Sequence, residues 1–252
     1  MLDPSSQLDW LETPSPDGGY TLRRSARVRR LSLRVHRDAR VEVVAPLRFP
    51  ATQIRDFVAR HREWIDARRE RAMRLRPVPQ PFPPPGVALP AFGEHWRLHL
   101  AAGRGRLRVR PAAPGLLEVT GNAADAMALQ RALLAWLMRH SRARLGAELT
   151  AVAAQHGFRY ANLSLRRQRT RWGSCSTHGT ISLNVCLAFQ PVDVMRYLLV
   201  HELAHTRHMN HSPAFWGCVE HACPDWQRLD RALLDGWRNV PQWVFEAPRV
   251  PV

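Results

Sequence analysis

The chain has 252 residues, 45% of them hydrophobic, and a formal net charge of +16 at pH 7. That length and apolar content exclude a disordered chain and allow one large domain or two modest ones. Four cysteines, at 175, 186, 218 and 223, are too few for a disulfide-stapled secreted scaffold. No run of 18 apolar residues marks a membrane span, and the polar, acidic first 19 residues lack the apolar core of a signal peptide. A cytoplasmic protein with no membrane partner is therefore expected.

All 37 basic residues are arginine. Complete exclusion of lysine points to a compositional bias, so the charge argues only weakly for a nucleic-acid partner, although it attracts anions generally.

In chain order, residues 1–19 read as a disordered leader, rich in Ser, Pro, Asp and Gly. Leu31, Leu33 and Val35, then Val41, Val43 and Ala45, alternate with other residues and predict a half-buried hairpin. After Pro50 the helical spacing of Ile54, Phe57, Val58, His61, Trp64 and Ile65 predicts one helix running to about Arg76. The proline-rich stretch 77–90 cannot continue it and is expected to be a semi-rigid linker or a surface crossing. Strands are expected at 95–100, 106–110 and 116–120, completing a β-rich N-terminal part over 20–122. A long helix over 123–156 follows, carrying Leu129, Leu133, Trp136, Leu137, Leu145 and Leu149 and stopped by Gly157. Strands return in 160–188, then helices from about 191 to 208 and from 212 to about 237, with a tail over 241–252. No internal repeat is visible. The mixed order defines an α+β fold.

Residues 201–205 read His-Glu-Leu-Ala-His. On a helix His201 and His205 sit one turn apart with both imidazoles on one face, a spacing that suits zinc. Glu202, beside the first ligand, can reach a metal-activated water without ligating the metal. Val194, Met195, Leu198, Leu199 and Val200 predict that this helix is buried, which holds its ligands rigid. The third ligand is His211, just before a helix whose N-cap and first residue are Ser212 and Pro213. His208 is the alternative. Three histidines leave one position open, the pattern of catalytic rather than structural zinc. The spacing also fits metzincins, but position 208 is His where they require Gly, and no methionine follows Met209 for a Met-turn.

Four runs carry a resemblance: Arg169 to Ser176 (RTRWGSCS), Ile181 to Asn184 (ISLN), His201 to His205 (HELAH) and Asn210 to Trp216 (NHSPAFW). Together they resemble the YgjP-like metallopeptidases, relatives of the SprT-like zincins. The likeness covers about 22–235. It implies a zincin-like fold, with a small twisted sheet packed on an active-site helix and a β-rich extension before it. The metallopeptidase domain would span 123–240. The resemblance also implies one zinc ion per chain on His201, His205 and His211, with Glu202 as general base and a protein or peptide as substrate. SprT-like relatives act on DNA-bound proteins, so arginines 23–30 and 166–171 are candidates for a nucleic-acid groove.

The reaction expected is metal-assisted peptide hydrolysis, with His208, Tyr197 or Arg171 as oxyanion donors or as groups that support a ligand histidine. Trp172, Gly173 and Ser174 are expected on a strand that pairs with extended substrate, with the alternative that Trp172 is simply packing. Cys175 reads as an inert thiol, and Cys218, His221 and Cys223 as helix packing. Glu220 and Asp225 are candidates to orient a ligand histidine. The competing function is a basic nucleic-acid-associated protein with a structural zinc.

Overall fold

A computed structural model describes residues 10–14, 19–36, 39–74, 81–101, 103 and 105–247. The chain forms two compact units, 1–76 and 77–252. The sequence expectation put a boundary at 122/123; the observed division falls earlier, at the start of the stretch read as a linker.

The first unit is a four-stranded sheet with two helices. Its strands are β1 (Trp10–Pro14), β2 (Thr21–Ser25), β3 (Ser32–Val35) and β4 (Val41–Ala45), in the order β1-β2-β4-β3. The expected leader therefore contains a strand, which pairs antiparallel with β2 from Trp10↔Ser25 to Pro14↔Thr21. The rest of that leader lies outside the described residues, apart from Gly19. The expected hairpin is β3–β4. Instead of one helix there are two, α1 (Ala51–Arg60) and α2 (Arg62–Arg74). They part at His61, whose backbone leaves helical geometry and whose ring Nδ1 lies 2.7 Å from the Phe57 carbonyl. Val43, Ala45 and Ile54 form the small core of this unit.

The second unit opens with β5 (Gly86–Leu89), β6 (Glu94–Leu100), β7 (Arg108–Ala113) and β8 (Leu116–Thr120), in the order β5-β6-β8-β7. The proline-rich stretch thus ends in a strand, with Pro84 and Val87 buried, and is not a free linker; residues 77–80 lie outside the described residues. In both sheets the first strand is antiparallel to the second, the second parallel to the fourth, and the third antiparallel to the fourth. The matching extends to residue pairs: Arg34↔Glu42 and Leu33↔Val43 in one sheet, Arg110↔Glu118 and Val109↔Val119 in the other. The chain therefore does contain a structural repeat, a four-stranded motif used twice. Its sequence trace is a few residues long, too short to read as a repeat.

α3 (Ala126–Gln155) is 30 residues long and is capped by Asp125, whose side chain accepts from the Ala128 N–H. Gly157 follows it in the left-handed conformation that ends helices. The helix serves two cores. Leu129, Leu133, Trp136 and Leu137 pack with Val87, Leu89, Leu117 and Val119 of the sheet. Leu145, Leu149 and Val152 pack with α4 (Val192–Ala204), the helix that carries the histidine motif. Each such leucine cut to alanine would cost about 2–5 kcal/mol.

A third sheet, β10-β11-β9, comprises β9 (Asn162–Arg166), β10 (Gly173–Cys175) and β11 (Thr180–Asn184). β10 lies on its edge, antiparallel to β11. Then come α4, α5 (Pro213–Ala222) and α6 (Trp226–Asp235). The segment expected as a tail is instead part of the core. Trp243 and Val244 are buried, and Gln130 donates to the carbonyls of Trp243 and Glu246. Residues 248–252 lie outside the described residues.

Candidate active site

α4 is apolar on nearly every side and is buried, so its polar residues stand out. Glu202 is 4% exposed, and no hydrogen-bond partner reaches its Oε2. Burial pushes its pKa up to about 8. The structure brings His201, His205 and His211 together, with one nitrogen of each inside a 4.8 Å group. His201 and His205 face the same way because they are one turn apart. α4 then ends, and the chain turns back so that His211 arrives just before α5, where Ser212 accepts from the Phe215 N–H and Pro213 opens the helix.

Aromatic rings fix all three imidazoles. Phe215 lies against His201 and His205, with ring centroids 5.0 and 4.5 Å away. His211 stacks on Trp216, which stacks on Trp226. Several ring nitrogens also have polar neighbours. His205 Nδ1 lies 3.1 Å from the His208 carbonyl, and His201 Nδ1 lies 3.4 Å from the Tyr197 hydroxyl. His201 Nε2 faces His211 Nε2 at 3.3 Å. Burial, followed by the neighbouring His205 and His211, pushes the pKa of His201 down to about 3. His205 is lowered too, chiefly by burial. Neutral imidazoles beside an unpartnered buried carboxylate suit a divalent cation with one open position, so the residues present fit zinc.

A cleft of about 240 Å³ opens beside them. Arg171, Trp172 and Gly173 line one wall, while Tyr197, Asp230, Leu233 and Leu234 belong to the other elements around it. Gly173 is needed here, because a Cβ would lie 2.5 Å from Glu202 Oε1. Trp172 stacks on Trp237 at 3.9 Å and also packs against the core cluster that contains the metal-motif helix.

His208 and Tyr197, expected as oxyanion donors or as groups supporting a ligand histidine, each contact one of the motif histidines. The Tyr197 hydroxyl donates to Asp230 Oδ1 at 2.8 Å, so its proton is not free for an oxyanion. His208 contributes a backbone carbonyl to His205. Asp225 pairs with Arg228, and the carboxylate linked to a ligand histidine, through the Tyr197 hydroxyl, is Asp230, which sequence reasoning missed. Its only sequence signal was a place on a helix after the motif. Cys175 is half-buried, and its thiol pKa is raised by burial and then by Glu202. Cys218, His221 and Cys223 form no metal-type cluster among the described residues.

Several arginines of the two basic runs bind the protein itself. Arg24 donates to the Pro46, Leu47 and Phe49 carbonyls, and Arg23 pairs with Glu42. Arg167 and Arg169 donate to the Val244 and Phe245 carbonyls. No described helix is long and apolar enough to cross a membrane.

A histidine triad with a buried glutamate on one helix is the donor set of a metal-dependent hydrolase. The "YgjP-like, metallopeptidase domain" family description matches residues 29–235, and the chain belongs to that family. Among solved structures, the metallopeptidase zymogen of Pyrococcus abyssi abylysin is similar at 24% identity, over 36% of this chain and 91% of that one, with a TM-score of 0.33. No curated protein matches the chain.

Proposed function

We propose that the protein is a zinc-dependent peptidase of zincin type. The observation that supports this most directly is the buried, unpartnered Glu202 carboxylate beside three converging imidazoles. His201, His205 and His211 hold one zinc ion. A zinc ion held there would supply polarisation of the scissile carbonyl and acidification of a water molecule.

Glu202 takes a proton from the attacking water and returns it to the leaving amine. Gly173 keeps the space beside it clear. Arg171, at the cleft wall, supplies positive charge to the developing oxyanion, since the Tyr197 O–H is engaged in donating to Asp230. An extended peptide pairs with the edge strand β10, with Trp172, Gly173 and Ser174 along its path. The protein works in the cytoplasm on protein or peptide substrates.

The test is hydrolysis of a peptide library by the purified chain, with metal analysis. Cleavage should stop on chelation and return with zinc. Cleavage indifferent to a chelator that has removed all metal would overturn the proposal.

A further inference from the structure

Outside the residues that hold a metal or move a proton, one carboxylate is aimed at the triad. Asp230 stands on α6 and reaches α4 through a single group, the Tyr197 hydroxyl, 2.8 Å from its Oδ1. Tyr197 is 1% exposed, so water does not compete for that hydroxyl. On its other side lies His201 Nδ1, at 3.4 Å.

The direction of these bonds is forced. An ionised carboxylate only accepts, so the tyrosine proton points to Asp230. The tyrosine oxygen is then left with lone pairs towards His201, and Nδ1 of His201 must be the donor. A neutral imidazole carries one N–H, so Nε2 is bare. That bare nitrogen is the one 3.3 Å from His211 Nε2. His205 reaches the same state by a shorter route, because the His208 carbonyl can only accept from its Nδ1. The two motif histidines are thus set to one tautomer by two different acceptors, a backbone carbonyl for one and a side-chain relay for the other.

We infer that Asp230 is a positioning residue that acts through Tyr197 to hold His201 as the Nδ1–H tautomer, with Nε2 presented for a metal ion. It touches neither metal nor substrate. The inference rests on the metal-site reading above. The geometry also explains why Tyr197 is held as a donor, with burial and then Asp230 raising the pKa of its hydroxyl.

Zinc affinity of the full chain, measured by competition with a chromophoric chelator, tests this. Tyr197→Phe keeps the buried ring and deletes the relay; Asp230→Ala deletes its end. Each should weaken zinc binding by about 10–100-fold, the usual effect of losing a group that orients a ligand histidine. The double variant should bind no more weakly than the weaker-binding single variant, because one acts through the other. Nitrogen-15 NMR of the metal-free protein at neutral pH should show His201 as the Nδ1–H tautomer, and a mixture in Asp230→Ala. Wild-type affinity in both single variants, additive losses in the double variant, or an unchanged tautomer in Asp230→Ala would each overturn the assignment. If the wild-type chain takes up no zinc, the metal reading falls first and the assignment with it.

Discussion

Gly173 and Glu202 stand closer than any side-chain-bearing residue could permit. A Cβ at 173 would lie 2.5 Å from Oε1 of the glutamate and 2.8 Å from two of its carbons. Because Glu202 is buried, its whole side chain would have to shift. Gly173→Ala should lower peptide hydrolysis at least tenfold while zinc content stays at the wild-type level. Wild-type turnover in that variant would show that Glu202 has room to move without consequence.

Glu202→Gln should keep zinc and abolish turnover, because the amide cannot accept the water's proton. It should also change stability. The folded pKa of about 8 lies above the ordinary value of 4.5, so the contribution of this group is complete below about pH 4.5 and is lost as pH rises through 8. The metal-free Gln variant should therefore melt higher than the metal-free parent at pH 9, by at least about 2–4 °C, the shift produced by about 1 kcal/mol in a chain of this size. At pH 4.5 that advantage should vanish. Melting curves at the two pH values check both signs.

His201 acts in the opposite sense. Its folded pKa of about 3 lies below 6.5, so its contribution is present above pH 6.5 and is lost as pH falls towards 3. The metal-free protein should lose stability steadily over that window. A melting temperature of the metal-free chain that stays flat from pH 6.5 to 4 would contradict this.

Trp237→Ala removes the ring stacked on Trp172 and should destabilise the chain by about 1–3 kcal/mol. Since Trp172 leads into the strand proposed to pair with substrate, KM should rise while zinc affinity is unchanged. Steady-state kinetics beside a zinc titration would separate the two effects.

The triad was legible because all three histidines and the glutamate fall within a short run, where helical periodicity and the Ser212-Pro213 helix start fix their geometry. Asp230 was not legible, since its approach to Tyr197 depends on how α6 packs on α4. Trp172 also escaped a local reading: its stacking partner, Trp237, lies far along the chain. The split at His61 was hidden because the apolar spacing runs unbroken across it. β1 was hidden for another reason, because polar Ser, Pro and Asp residues around Trp10–Pro14 mask a strand whose pairing with β2 is backbone-directed. The arginine runs read as candidates for a nucleic-acid groove, yet Arg24, Arg167 and Arg169 act as donors to carbonyls that no local pattern reveals.

The 30-residue helix has an implication for anyone excising the hydrolytic half of the molecule. A fragment starting at 123 would strip Leu129, Leu133, Trp136 and Leu137 of the sheet that covers them, leaving a greasy flank in water. Such a piece should aggregate, whereas one beginning at 77 keeps both ends of that beam clad.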